Sequence, residues 1–255
     1  SLVERYAVSV VPSLTSLAMI RQPQKKTKNT RFIILGDPAV DPQMGLAPLP
    51  AAAAEAETIC NLLLAAGVDR DRIILRIRQQ ATEAEYKKWA GGCTMVHFSC
   101  HAAVREPAAR SSLFLTSGPH DDGLLVPVEI AEIRLPGALV FLSACQTGLG
   151  RPTADGVIGL SRAFLEAGAC AVVMSLWKVA DEATAVLAGY FYQALLSREK
   201  PPVDAATALQ RAMLATRDDL AAGRIVTLRN EIMDDHPAHW APFLLLGDGG
   251  FNVRT

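Results

Sequence analysis

Met95-Val96-His97-Phe98-Ser99-Cys100-His101 and Leu139-Val140-Phe141-Leu142-Ser143-Ala144-Cys145 are built alike. Each is a short apolar run followed by a serine, with a chemically reactive residue two places further on. Continuous apolar runs of this length, closed by small or polar residues, suit strands buried on both faces of a parallel sheet. Two more runs share the pattern, Phe32-Ile33-Ile34-Leu35 and Ala171-Val172-Val173-Met174, and Ile73-Ile74-Leu75 is a weaker fifth.

Helical patterns fill the gaps between these runs. Residues 51–66 are rich in Ala, Glu and Leu and stop at Gly67, a C-terminal cap residue. Thr82 with Glu85 three places on reads as a capping box opening a short helix over 82–90. Val157, Leu160, Phe164 and Leu165 fall at helical spacing over 155–167, and two longer helices are expected over 182–196 and 203–220. Strands alternating with helices imply right-handed βαβ units and a doubly wound α/β sheet covered on both faces. Residues 111–116 and 124–126 read as a small hairpin outside that sheet. Residues 6–17 read as an edge strand and loop, and Phe243 to Leu246 as a late strand. The expected organisation is an N-terminal edge segment and connector over 1–30 and one domain over 31–250.

The 255 residues are 50% apolar and carry a formal net charge of −1, enough for one full core. Charges of both signs are interspersed. The densest basic stretch, Gln24 to Lys28, is short, so a nucleic-acid role has no electrostatic footprint. The five cysteines lack CxxC spacing and several sit inside apolar runs, a pattern of free thiols in a reducing, cytoplasmic setting. No apolar run is long enough to span a bilayer, and no signal peptide opens the chain. The start at Ser1-Leu2-Val3-Glu4-Arg5, without Met, reads as that of a fragment of a longer polypeptide.

In doubly wound sheets, chemistry collects at the carboxyl ends of the strands. If the strands are parallel neighbours, His101, Cys145 and Trp177 converge on one rim. A thiol and an imidazole on adjacent strand ends are what nucleophilic cysteine catalysis needs. The imidazole keeps the thiol available as thiolate and later protonates the leaving amine.

These residues resemble the CHAT family, caspase-like peptidase domains related to separases and caspases. The matching stretches are Val96 to Ala102, Leu142 to Gly148, Ser175 to Asp181 and the tail His236 to Phe243, in order along nearly the whole chain. The resemblance implies a caspase-like α/β/α sandwich with a mostly parallel central sheet, and endopeptidase chemistry that needs no metal or organic cofactor. Carried over by position, His101 is the general base and acid and Cys145 the nucleophile. Ala102 stands where relatives often carry Gly; its backbone N–H and that of Cys145 would hold the oxyanion. Ser143, Trp177, Asp37 and Asp181 are candidate pocket residues, and two acidic walls would favour Lys or Arg before the scissile bond. For Asp37 and Asp181 a second reading stays open, in which Asp37 caps a turn before Pro38 and Asp181 caps the next helix. The resemblance also implies a protein substrate and a regulatory protein or fused partner domain.

Cys93, His97, Cys100 and His101 suggest zinc, yet on a strand the two histidines are about 13 Å apart, too far for one ion. His97 then reads as a packed residue or one that supports the site from behind. Gly148 and Gly150 precede a helix without any P-loop or GxGxxG pattern, and no GxSxG elbow is present. Two further classes stay open: an inert caspase-like module for protein interaction, and a transferase or hydrolase acting on a small molecule at the same rim.

Overall fold

The computed structural model describes residues 2–21, 31–47, 49–105, 107–144, 154–227 and 229–253. In chain order the elements are α1 (Leu14–Ile20), β1 (Phe32–Gly36), α2 (Pro50–Ala65), β2 (Ile73–Ile77), α3 (Glu83–Trp89) and β3 (Met95–Ser99). β4 (Ala102–Ala103), β5 (Ser112–Phe114), β6 (Leu124–Leu125), α4 (Pro127–Glu132), β7 (Leu139–Ser143) and α5 (Ala154–Glu166) follow. The chain closes with β8 (Ala171–Ser175), α6 (Asp181–Leu195), α7 (Ala205–Ala221) and β9 (Phe243–Gly247).

All five expected strands form, and with the late strand β9 they make a six-stranded sheet in the order β2-β1-β3-β7-β8-β9. Every pairing is parallel except that of β9, which runs antiparallel to β8. Side chains alternate across the sheet with period two. Phe32, Ile34, Met95, Phe141 and Val173 therefore enter one core with α2, α6 and α7. Ile33, Leu35, Phe98, Leu142 and Met174 enter the other with α3, α5 and the small sheet β4-β5-β6. The result is the expected three-layer sandwich.

Local signals acted in part. Thr82 caps α3 by accepting from the Glu85 amide, but the Glu85 carboxylate turns to Arg76 and Trp89, so the capping box closes on one side only. The expected hairpin gains a third strand, since Ala102 and Ala103 pair antiparallel with Leu113 and Ser112. Around residues 6–17, strand character shrinks to a single bridge from Val10 to Leu246, and Ser13 caps a helix where a loop was expected. At the end of β1 the sheet and α2 come unusually close. A Cβ added to Gly36 would lie 2.5 Å from that of Ala56, so only glycine admits this approach. Among the described residues, no helix is long and apolar enough to cross a membrane.

Candidate active site

The register of β3 and β7 decides what the rim can do. Ser99 pairs with Ser143 across the two strands, so the segments leading to His101 and to Cys145 leave the sheet at the same level. Cys145 itself lies outside the described residues. His101 stands two residues past Ser99, the end of β3, and is half-buried, and its Nε2 lies 2.7 Å from the carbonyl oxygen of Ala47. A carbonyl only accepts, so this contact places a proton on Nε2 and leaves the Nδ1 lone pair available as a base. Burial lowers the His101 pKa, the Ala47 carbonyl and the Asp37 charge oppose that, and Lys178 adds to the lowering. The net shift is downward, which favours the neutral imidazole that a general base requires.

A cavity of about 370 Å³ opens beside His101, lined by Asp37, Pro38, Val40, Leu46, Ala47 and Arg78 among others. Asp37 and Arg78 follow β1 and β2 and both adopt left-handed backbone, at φ 45° and 53°. Their side chains meet at 3.3 Å, while the Asp37 amide donates to the Ser99 carbonyl at 2.9 Å. Asp37 therefore offers its carboxylate to Arg78. Asp181 has a different setting. It occupies the first turn of α6, whose N-cap is Ala180 with no side-chain cap bond, so the helix-cap reading of Asp181 is corrected. Burial first, then the charges of Glu182 and Glu55, push its pKa up to about 6 against the opposing pull of Lys178.

Trp177 is 41% exposed, and its indole N–H donates to the Ala238 carbonyl at 3.0 Å. The tail thus holds this ring from behind. Within that tail, Trp240 is buried and donates to the Asp235 carbonyl at 3.1 Å. Ala102 is buried in the small sheet opposite Leu113. Ser143 is buried too, and its hydroxyl points away from the rim to donate to Glu55 Oε2 at 2.9 Å.

Sequence reasoning did not single out Ala47, Arg78 or Glu55. A backbone acceptor such as Ala47 leaves no trace in residue type. Glu55 does leave one: it interrupts the buried stripe Ala52, Ala56, Ile59, Cys60, Leu63 of α2. His97 is buried as expected, stacked 5.2 Å from Phe141 and 2.9 Å from Glu55. Among the described residues, no three His, Cys, Asp or Glu side chains are grouped to hold a metal ion.

Comparison with known proteins places this geometry. The chain is 27% identical over 296 aligned residues to Tetratricopeptide repeat protein 28 of Homo sapiens, and equally to that of Mus musculus. The match takes in 96% of this chain and 11% of each relative, so the chain spans about a tenth of their length. Among solved structures, the Arg specific cysteine proteinase gingipain R superposes with TM-score 0.59 at 14% identity, over 94% of this chain and 52% of that one. The Saccharomyces cerevisiae separase–securin complex gives TM-score 0.55 at 11% identity, over 94% of this chain and 14% of that one. These likenesses establish a caspase-like fold. The sequence pattern of the CHAT domain matches residues 1–248, and the chain belongs to the CHAT domain family.

Proposed function

We propose that the domain is a cysteine endopeptidase in which His101 and Cys145 act as a pair on protein substrates. The observation that carries this reading is the His101 imidazole, held at a parallel strand end by the Ala47 carbonyl, one strand from the segment that leads to Cys145. His101 Nδ1 takes the thiol proton, and the Cys145 thiolate attacks the scissile carbonyl carbon. His101 then gives that proton to the departing amine, leaving a thioester. Water, deprotonated by His101, hydrolyses the thioester and regenerates the thiol. Backbone N–H groups of Ala102 and Cys145 would hold the oxyanion.

With Asp37 paired to Arg78, acidic selection before the scissile bond rests on Asp181, with Trp177 as a further pocket candidate, while the Ser143 hydroxyl is taken by Glu55. Peptides with Lys or Arg at that position should be cut faster than those with Leu or Ala; equal rates would remove this specificity. Regulation by a partner or fused domain is supported by the tetratricopeptide repeat relatives, of which this domain corresponds to a small part. Four described cysteines are buried free thiols, which suits a reducing, cytoplasmic setting.

The test is the pH dependence of iodoacetamide labelling at each cysteine, for wild type beside His101→Ala. Burial holds the thiols of Cys93 and Cys170 up at about 12 and raises Cys100 as well, so these give little background. Cys145 should label selectively well below pH ~8.5, and His101→Ala should abolish the selectivity. Labelling of Cys145 at the rate of an ordinary exposed thiol would favour the inert interaction module instead.

A further inference from the structure

A carboxyl group on the buried stripe of a helix is costly unless every oxygen finds a partner. The Glu55 side chain is 3% exposed, and its partners are specific. Oε2 accepts two hydrogen bonds, from the Ser99 hydroxyl at 2.8 Å and the Ser143 hydroxyl at 2.9 Å. Oε1 lies 2.9 Å from His97 Nε2, in contact though not aligned as a hydrogen bond. His97 Nδ1 in turn meets the Tyr192 hydroxyl of α6 at 3.2 Å.

The placement of the two serines gives this network its meaning. They are register partners, they are the last residues of β3 and β7, and each stands two residues before a reactive side chain. One carboxyl oxygen therefore ties together the two strand ends from which His101 and Cys145 depart. The same helix follows the loop whose Ala47 carbonyl orients His101. Gly36 lets α2 sit close enough over the sheet for this reach.

We propose that Glu55 is a positioning residue, a clamp on Ser99 and Ser143 that sets the spacing of the two reactive residues. The proposal rests on the peptidase reading above. It needs no contact between Glu55 and substrate. Its effect comes from the strictness of catalytic geometry, where a displacement of about 1 Å can cost about a hundredfold in rate.

The decisive variants are Ser99→Ala, Ser143→Ala and the double substitution, which remove the arms of the clamp with small changes in volume. Each is tested in the full chain for Cys145 labelling by iodoacetamide across pH, with thermal unfolding recorded in parallel. The double variant should stay folded at the labelling temperature yet lose about tenfold of the Cys145 rate at neutral pH, with its profile moved toward that of an ordinary thiol. Glu55→Gln, with both serines present, should keep much of the wild-type rate, because an amide oxygen in the place of Oε2 can accept both hydroxyls. Glu55→Leu should be worse than either, but it strands three polar groups and can fail to fold, so the serine variants decide. A purely structural network would lower the melting temperature and leave the labelling profile of the folded protein unchanged. If wild-type Cys145 is activated and the double-serine variant matches it, Glu55 has no positioning role. If wild-type Cys145 is itself unreactive, the peptidase reading falls first and this role with it.

Discussion

The two faces of β3 and β7 carry the same strands into opposite surroundings. On one face Val96, Phe98, Cys100 and Leu142 join a largely apolar cluster; Phe98 packs 5.3 Å from Tyr86 and 5.7 Å from Phe164. On the other, Met95 and Phe141 are followed toward the rim by His97, Ser99 and Ser143, all gathered on Glu55. One face is a core throughout. The other is core at one end and an organised polar network at the end where the chemistry is expected. The proposed positioning network thereby lies on one face of a single layer of strands. Disturbing the apolar face should lower stability and leave that network's geometry largely intact.

Breaking the apolar face gives the largest expected effect on stability. Phe98→Ala deletes a fully buried ring at the centre of three aromatics and should cost about 3–5 kcal/mol, read from urea unfolding. In the protein that remains folded, the Cys145 labelling profile should keep its wild-type midpoint. A shifted midpoint would mean that the faces are not separable.

Tyr192→Phe probes the polar face from its far end. It removes the hydroxyl that meets His97 Nδ1 in a fully buried site and should cost about 1–2 kcal/mol. Because the loss is one contact removed from Glu55, its effect on Cys145 should be weaker than that of the double-serine variant. An equal or greater effect would move the centre of the network from Glu55 to His97.

Asp181→Asn sharpens the comparison at the rim. The folded-state pKa of Asp181 stands at about 6, above the ordinary 3.8, so the folded protein favours the protonated carboxyl. Its contribution is favourable below pH ~4 and is lost as pH rises through about 6, where ionisation works against folding. Replacing it with Asn should therefore raise stability at pH 7 by about 1 kcal/mol, less than the full shift implies because the group keeps some solvent, and the gain should vanish by pH ~4. The same change should erase any preference for Lys or Arg before the cut. Improved stability with that preference intact would detach Asp181 from the pocket.

Much of the sheet was legible because its signal is local. Five apolar runs became five strands, and Thr82 and Gly67 marked helix ends as such residues do. The small sheet was read one strand short, because Ala102-Ala103 is too brief to show a period and forms only against Leu113 and Ser112. The segment near Val10 looked like a strand by composition. It makes a single bridge to β9, and Ser13 then starts a helix instead. His101 stood out by its place after a run. Glu55 did not, since glutamate in an Ala-rich helix usually faces water; its place on the apolar stripe was the one signal, and the facing serines show what it meets.

The sequence by itself determined the strands, their burial on both faces and the place of His101 just past the end of β3. Those properties follow from hydrophobic runs and spacing along the chain. The tertiary structure alone decided which polar groups those ends would meet: Ala47 for His101, Arg78 for Asp37, and Glu55 for both serines. These partners lie from 41 to 88 residues apart, and a hydrogen bond over such separations depends on how layers pack, which no local pattern encodes.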